Sequence, residues 1–462
     1  MMKKLIAYVA SFAFLWSTPI CGEEANTVVA TINVGVTPAG IAVTPNNLFA
    51  YVANNNNYGI SGGDTVSVLN LTNNTLATTI SDASFNEPYT VTINASGTKA
   101  YVTNSNSSTV SIIDLANNTV TGTIGGFDGP SGFVISHDGT LGYVNNYGYG
   151  GGVGSGNGTT VRVVDLNTNM ITGAPITVGQ APAAMAITPD GAFIYVVNYV
   201  NGNPGMGTIS VIQTSNNTVV DTITGFSGPF AIAITPNGQY AYVTNFGSND
   251  FSPVGNTVSV VDLQSNMITA TITVGTQPAG IAITPDGSLV YVSNYNTLYA
   301  GPGFYGLTAG QGTVNIIDTR TNQVIPPTID VGLSPDAIAI APDGLYAYVS
   351  NYTSNTVSVI PIQTFQITAQ GCKMKTKFVS QTDLINKLTW TVSGTLLPVS
   401  YSIYRDAGLT DLAGTVAASQ PFVFFDHNRK PHVTYTYYIV GTNAFGISSV
   451  PVEVTVSQKC GH

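Results

Sequence analysis

A four-residue phrase, Tyr-Val-x-Asn, recurs seven times along the chain, and this repetition limits the possible folds more than any other feature. The copies begin at Tyr51, Tyr101, Tyr143, Tyr195, Tyr242, Tyr291 and Tyr348. They are 42 to 57 residues apart, so a unit of fixed length alternates with loops of variable length. A chain with such a period forms one supersecondary unit per repeat and packs each unit against its neighbours.

Each unit contains four short β segments. Residues 280–284 and 289–293 flank Pro285-Asp286-Gly287, a sequence typical of a tight turn. Residues 257–262 and 267–272 flank a second polar turn. Alternating Val, Ile and Thr between these turns predict antiparallel strands. Four strands per unit, repeated seven times, predict a seven-bladed β-propeller.

The two ends of the repeat region distinguish a closed ring from an open stack of units. Residues 26–32 match the fourth strand of a unit, whereas the seventh unit supplies three strands and its pattern ends at Ile360. Pairing residues 26–32 with residues 356–360 therefore completes the last unit and removes two open sheet edges. An open stack would instead need capping repeats. We predict an all-β chain whose ring is closed by its N-terminal strand.

The repeats resemble those of the YVTN-family β-propellers, which occur in bacterial exported proteins and archaeal surface-layer proteins. The resemblance rests on the seven in-phase copies of Tyr-Val-x-Asn and covers about residues 26–362. It implies the propeller fold. Because members have been linked to cell-surface and to DNA-binding roles, it implies a function less specifically.

After residue 362 the repeat stops and the composition changes. Trp390 and Tyr401 lie on alternating apolar and polar segments, and a Tyr-rich segment follows at residues 434–448. These features predict a small β-sandwich. It resembles a fibronectin type III domain, notably at residues 438–446. We therefore divide the chain into a propeller at residues 23–362, a linker at residues 363–371 and a sandwich at residues 372–462.

The first 22 residues have the pattern of a secretory signal peptide. Two lysines precede an apolar run at residues 5–16, which is too short and wrongly flanked for a transmembrane helix. Cleavage after Gly22 gives an exported protein without a membrane span, in the periplasm, in the medium or on the cell surface. The alternative is a lipoprotein acylated at Cys21, although Ile20 is bulkier than the residue such a site prefers.

Two cysteines remain after such a cleavage, Cys372 and Cys460. They lie just outside the first and last expected strands of the sandwich. An even number of cysteines in an exported chain indicates disulfide bonding, so we predict that these two are bonded to each other.

Charge is distributed unevenly between the two regions. Residues 370–462 hold eight basic and five acidic residues, whereas residues 23–369 hold 18 acidic residues and three basic ones: Lys99, Arg162 and Arg320. An ordinary DNA interface contacts about six to ten phosphates. Three cations cannot neutralise that number, so we expect no nucleic-acid partner for the ring.

Side chains suited to catalysis or metal binding are scarce in the repeat region. Its one histidine, His137, lies in a turn, so only carboxylates remain for acid–base chemistry. Most aspartates recur at fixed turn and strand-end positions and are interpreted as turn caps, with calcium binding as the alternative. Lactonase propellers resemble this fold and present cationic and acidic groups around the channel, but no such set is evident. We predict no catalytic residue, metal site or cofactor.

The loops that follow Tyr-Val-x-Asn vary most in length, and we expect all of them on one face of the ring. Five copies have an aromatic residue directly after the asparagine: Tyr147, Tyr199, Phe246, Tyr295 and Tyr352. The longest loops add Tyr149, Phe251, Tyr299, Phe304 and Tyr305. Aromatic residues among Gly, Ser and Asn are typical of binding loops. These ten residues are the predicted binding site. Packing between blades is the alternative for the five in-phase ones.

Two functions remain. The first is an exported, non-catalytic binding or adhesion scaffold whose loop face binds a protein or a glycan at the cell envelope. The alternative is a propeller-type hydrolase or lactonase that uses carboxylates at the central channel. The enzyme requires an asymmetric charged cluster at the channel, whereas the scaffold does not. The sequence does not specify the oligomeric state.

Overall fold

A computed structural model describes most of the chain after residue 25. The described residues are 26–56, 59, 63–148, 157–199, 206–247, 254–299, 307–362, 365–378, 381–394, 398–418, 422–427, 429–430, 432–442 and 452–457. Their regular secondary structure consists of β-strands joined by turns. Within these ranges no helix is long and apolar enough to cross a membrane.

Seven four-stranded antiparallel sheets form the blades of a propeller. Blade 1 contains β2 (Pro38–Val43), β3 (Phe49–Asn54), β4 (Thr65–Asn70) and β5 (Thr75–Ser81). Blade 2 contains β6 (Pro88–Ile93), β7 (Lys99–Asn104), β8 (Thr109–Asp114) and β9 (Thr119–Gly125). Blade 3 contains β10 (Pro130–Ile135), β11 (Leu141–Asn146), β12 (Thr160–Asp165) and β13 (Met170–Thr177).

The next three blades follow the same order. Blade 4 contains β14 (Pro182–Ile187), β15 (Phe193–Asn198), β16 (Gly207–Gln213) and β17 (Thr218–Phe226). Blade 5 contains β18 (Pro229–Ile234), β19 (Tyr240–Gly247), β20 (Val254–Asp262) and β21 (Met267–Thr273). Blade 6 contains β22 (Pro278–Ile283), β23 (Leu289–Asn294), β26 (Thr313–Asp318) and β27 (Gln323–Asp330), and a hairpin of β24 (Thr297–Tyr299) and β25 (Leu307–Ala309) is inserted into it.

Blade 7 combines the two ends of the repeat region. Its strands are β28 (Pro335–Ile340), β29 (Tyr346–Asn351), β30 (Thr356–Pro361) and β1 (Ala30–Asn33). Strand β1 pairs antiparallel with β30, with Ala30 opposite Val359 and Asn33 opposite Thr356. The predicted closure of the ring by the N-terminal strand is therefore confirmed.

The first strand of every blade lies at the centre of the ring. Each packs against the first strands of both neighbouring blades, in the closed order β2, β6, β10, β14, β18, β22, β28 and back to β2. These seven inner strands surround the central channel. The channel is where residues from all blades come together.

The tyrosine of the repeated phrase joins neighbouring blades. All seven of these tyrosines are at most 2% exposed. In five blades the hydroxyl donates to an asparagine of the next blade, as from Tyr195 to Asn266 Oδ1 at 2.8 Å. Asn266 lies in the turn between the third and fourth strands with a φ of 53°. Asparagine tolerates this left-handed conformation better than most residues, so it serves both the turn and the blade contact.

The asparagine of the repeated phrase holds the second strand to the third. Asn54 Nδ2 donates to Thr65 Oγ1 at 2.9 Å and to Ser67 Oγ at 3.0 Å, and all seven blades have a bond of this kind. These bonds fix the end of the second strand. The loop of each blade therefore starts from the same place.

The C-terminal region is a small β-sandwich. One sheet contains β31 (Phe365–Phe378), β32 (Gln381–Gly394) and β35 (Val423–Asp426). The other contains β34 (Leu412–Ala417), β33 (Ser400–Tyr404), β36 (Tyr435–Thr442) and β37 (Val452–Val456). Trp390, Tyr401 and Tyr437 from the two sheets are buried in one core. The predicted sandwich is thus present.

The boundary of the sandwich differs from the sequence-based expectation. Strand β31 begins at Phe365, so residues 365–371, which the sequence placed in a linker, are strand. They pair with residues 388–394 of β32 in an unbroken antiparallel register. Cys372 lies on β31, whereas Cys460 and the expected signal peptide at residues 1–22 lie outside the described residues. The disulfide and the signal peptide therefore stay predictions.

Removing one hydroxyl tests the contact between blades. We expect Tyr195→Phe to lower the free energy of unfolding by about 1 kcal/mol, because it removes one buried hydrogen bond. Asn266→Gly should remove the same bond while keeping the left-handed turn. Urea unfolding of both single variants and of the double variant measures the coupling between the two side chains. Tyr240→Phe, at an exposed tyrosine, is the control. Unchanged stability in Tyr195→Phe would show that the bond does not hold the blades together.

Candidate functional site: an aromatic collar at the channel mouth

The residue after the repeated asparagine has the same backbone environment in every blade. Its N–H donates to the carbonyl of the residue just before the inner-strand proline, as from Tyr295 to Gln277 and from Tyr352 to Ser334, both at 2.9 Å. The accepting residue has a positive φ in all seven blades, 53° at Gln277 and 51° at Ser334. This conformation leads the chain into the inner strand. Seven side chains are therefore placed beside the starts of the inner strands, around one mouth of the channel.

Aromatic residues occupy this position in blades 3 to 7, and four of them form a continuous series. The ring centroids of Tyr199 and Phe246 are 6.5 Å apart, those of Phe246 and Tyr295 are 6.0 Å apart, and those of Tyr295 and Tyr352 are 6.2 Å apart. The first two pairs meet edge to face, an arrangement that aromatic quadrupoles favour. Tyr199 is buried, whereas the other three are partly exposed. The structure thus brings these four predicted residues together.

The inner strands add residues that the sequence analysis missed. The second residue of each inner strand is small in four blades: Ala39, Ser131, Ala183 and Ala279. Blades 2, 5 and 7 have Tyr89, Phe230 and Asp336 there instead. The Phe230 ring lies 5.3 Å from Phe246 and 6.1 Å from Tyr199, measured between centroids. The sequence did contain a signal for these residues: at a repeated position that is small in four units, three units have Tyr89, Phe230 or Asp336.

We use the name aromatic collar for the residues gathered around this mouth of the channel. Its members come from blades 2 to 7: Tyr89, Tyr147, Tyr199, Phe230, Phe246, Tyr295 and Tyr352. Blade 1 has no aromatic residue at either position, since Asn55 and Ala39 lie there. The collar is therefore asymmetric even though the blades repeat.

Asp336 is the one charged residue on the seven inner strands, all of which are fully described. Burial raises the pKa of its carboxyl from 3.8 to about 7. Within the described part of the chain, no hydrogen bond or ion pair offsets that burial. A carboxyl group with this pKa is partly ionised at neutral pH, and such shifts are common at functional sites.

Tyr89 connects Asp336 to the collar. Burial raises the pKa of its hydroxyl well above the ordinary value, and the nearby Asp336, Tyr147, Tyr352 and Tyr295 raise it further. These four groups therefore lie within electrostatic range of Tyr89, although they come from three other blades. The hydroxyl of Tyr89 stays protonated at neutral pH and is available as a hydrogen-bond donor.

Five of the predicted binding residues are not placed by these contacts. Tyr149, Phe251, Phe304 and Tyr305 lie outside the described residues. Tyr299 ends strand β24, whose hairpin with β25 follows the collar residue Tyr295 in blade 6. A binding role for these five residues stays a prediction.

Two aspartates far from the collar accept hydrogen bonds within their own turns. Asp190 Oδ1 accepts bonds from the Thr188 hydroxyl and the Ala192 N–H, and these bonds lower the pKa of its carboxyl. Asp262 Oδ1 likewise accepts from Ser265, which lowers the pKa of Asp262. Both line a cleft of about 600 Å³ at the opposite ends of the strands. No group of three or more His, Cys, Asp or Glu side chains in the described ranges is arranged to hold a metal ion.

Comparisons with known proteins agree with this architecture. A family model described as "Lactonase, 7-bladed beta-propeller" matches residues 197–300, under a quarter of the chain. A solved structure, the hydrazine synthase of Kuenenia stuttgartiensis, is 19% identical, with a TM-score of 0.58 and coverage of 75% of this chain and 99% of that chain. The fold is that of a β-propeller. No curated protein matches the chain.

The comparisons define the fold more closely than the site. At 19% identity the similarity to the hydrazine synthase shows the fold alone. The lactonase match includes Phe230, Phe246 and Tyr295 but neither Tyr89 nor Asp336. The two inner-strand residues with raised pKa values are therefore features of this chain that the family match does not cover.

The raised pKa of Asp336 gives stability a testable pH dependence. Because the folded-state pKa of about 7 lies above the ordinary 3.8, the ionised carboxylate destabilises the fold as the pH rises through this interval. We expect Asp336→Asn to raise the melting temperature by about 2–5 °C at pH 8.5 and to change it little at pH 4. Thermal unfolding followed by circular dichroism at both pH values measures this.

Asp343→Asn is the control for this experiment, because Asp343 lies in an exposed turn of the same blade. It should show no comparable gain at pH 8.5. A gain in Asp336→Asn that is equal at both pH values would contradict the assignment of the effect to ionisation.

Proposed function

We propose that this protein is an exported, non-catalytic binding or adhesion scaffold that binds a protein or glycan of the cell envelope at the aromatic collar. The observation that carries the proposal is the gathering of seven aromatic side chains from six blades at one mouth of the channel. A concave site lined by aromatic groups with few polar ones is the usual form of a ligand site.

The rigidity of the collar supports this proposal. The backbone at Tyr295 and at Tyr352 is fixed by a hydrogen bond to the start of the inner strand. The rings also contact one another from blade to blade. Aromatic side chains held in this way lose little conformational entropy when a ligand binds. The variable loops begin at the same place and can add contacts around the rim.

The rest of the chain is consistent with a role outside the cytoplasm. The N-terminal pattern favours export, and the cysteine pair Cys372 and Cys460 favours an oxidising compartment. The three-stranded and four-stranded sheets of the C-terminal sandwich support its likeness to a fibronectin type III domain. Such a domain would serve as a spacer or as a second contact.

A propeller-type hydrolase or lactonase is the second candidate function. The match of residues 197–300 to a lactonase family favours it, as does the pKa of about 7 at Asp336, which suits a general base. Base catalysis also needs further groups that bind and activate the substrate. Among the described residues, Tyr89 is the titratable group coupled to Asp336, and no cationic side chain lies on the inner strands. This arrangement favours binding over catalysis.

Substitutions at the two ends of one strand test the binding proposal. Phe246 lies in the collar near the end of β19, and Tyr240 begins the same strand at the opposite face. We expect Phe246→Ser/Tyr295→Ser to reduce capture of glycan-array and isolated-envelope ligands by at least about 10-fold, through loss of two aromatic contacts. The Tyr240→Ser control should capture the ligand as well as wild type does, and circular dichroism checks the folding of each variant.

Undiminished capture by the collar variant would contradict the proposal. Lactone hydrolysis by the wild-type protein that is abolished in Asp336→Asn would instead favour the second candidate.

A further inference from the structure

We propose that the ligand group bound at the collar is an organic ammonium, a quaternary or alkylated amine held against the aromatic rings and paired with the Asp336 carboxylate. This inference rests on the proposed function, since it names the chemistry that the same site recognises. It follows from three features of the site: its aromatic faces, a carboxylate without a partner among the described residues, and the lack of cations on the inner strands.

The aromatic faces provide the first argument. The planes of Phe246 and Tyr295 differ by 63° and those of Tyr295 and Tyr352 by 50°, so these three partly exposed rings do not cover each other by parallel stacking. The face of an aromatic ring carries partial negative charge and attracts an ammonium within about 6 Å of its centroid. A collar that changes ring direction from blade to blade can surround a compact cation on several sides.

The carboxylate provides the second argument. Asp336 lies on the inner strand of blade 7, between the small residues Ala279 of blade 6 and Ala39 of blade 1. No donor among the described residues bonds to its carboxylate, so none of them balances its charge. A bound cation would supply the missing opposite charge.

The absence of competing cations provides the third argument. None of the three basic residues of the propeller lies on an inner strand, and the propeller as a whole is acidic. This charge distribution disfavours an anionic ligand. A hard metal ion is also disfavoured, because calcium takes six to eight oxygen ligands and Asp336 is the sole carboxylate on the inner strands. An ammonium needs one carboxylate and several ring faces, which is what the collar offers.

A pair of ligands with the same shape and different charge tests this proposal. Choline and its neutral carbon isostere 3,3-dimethyl-1-butanol are titrated into the full-length protein by isothermal calorimetry. We expect choline to bind at least about 10-fold more tightly than the isostere, because only choline gains the cation–π and carboxylate interactions. A peptide with a trimethylated lysine, run beside choline, distinguishes a protein-borne ammonium from a free one.

Variants separate the contributions of the rings and of the carboxylate. Tyr295→Phe keeps the ring face and should bind choline within about 3-fold of wild type, whereas Tyr295→Leu should lose about 10-fold. Asp336→Asn should also lose about 10-fold. Tyr240→Leu, on the opposite face, should bind choline as wild type does.

The pH dependence gives an independent readout. Tyr89 is the titratable group coupled to Asp336, and it is coupled in turn to Tyr147, Tyr295 and Tyr352, none of which is a carboxyl group or a histidine. Choline affinity should therefore rise from pH 6 to pH 8 as Asp336 ionises, and this rise should be absent in Asp336→Asn.

Equal binding of choline and its isostere, or unchanged choline affinity in both Asp336→Asn and Tyr295→Leu, would overturn the inference. Collar-dependent capture of a neutral glycan without choline binding would overturn it as well, while leaving the proposed function intact. Failure of both choline binding and collar-dependent capture would refute both.

Discussion

The closure of the ring by an N-terminal strand is the constraint on which the site depends. Strand β1 adds the fourth strand to a blade whose other three strands lie more than 300 residues further along the chain. The segment before β1 also contributes, because the N–H of Asn26 donates to the carbonyl of Pro361 at 3.2 Å. Blade 7 carries Tyr352 and Asp336. Two residues of the candidate site are therefore held in place by a strand from the other end of the repeat region.

The contacts that hold the propeller together repeat from blade to blade, whereas residues that differ between blades give the candidate site its chemistry. The tyrosine and asparagine of the repeated phrase make the same kinds of contact in successive blades, as Tyr195 and Asn54 illustrate. Such contacts are symmetric and cannot by themselves distinguish one ligand from another. Tyr89, Phe230 and Asp336 replace small residues at one repeated position, and they give the channel mouth its chemistry.

The sequence predicted the fold better than it predicted the site, for a physical reason. Blade number and ring closure follow from a periodicity that spans more than 300 residues, so local ambiguity hardly affects them. Collar residues such as Tyr295 and Tyr352 could be found because they directly follow a repeated asparagine. Asp336 was missed because strand alternation does not reveal that the second residue of each inner strand lies at the channel mouth. That placement follows from how the seven blades are arranged around the channel, which the local sequence does not describe.

The start of β31 shows a related limit. Residues 365–371 belong to a long hairpin with β32, and the pairing partner that makes them strand lies some twenty residues away. From Phe365 to Gln370 apolar and polar side chains alternate, which is itself a strand pattern, but these residues follow the break in the repeat and were assigned to the linker for that reason. The local alternation is compatible with a strand, whereas the partner strand β32 is identified only by the structure.

The Asp336 side chain is partly buried and has no hydrogen-bond partner among the described residues, so its ionised carboxylate lowers the stability of the folded propeller at neutral pH. Four other blades show that a small residue fits the same position. The propeller tolerates the charge because each blade is held by its own core and by contacts such as the bond from Tyr242 to Asn322 at 2.7 Å, which lie away from the inner-strand position. A position that the scaffold does not need for its stability is free to carry binding chemistry. Tyr89, Phe230 and Asp336 occupy that position.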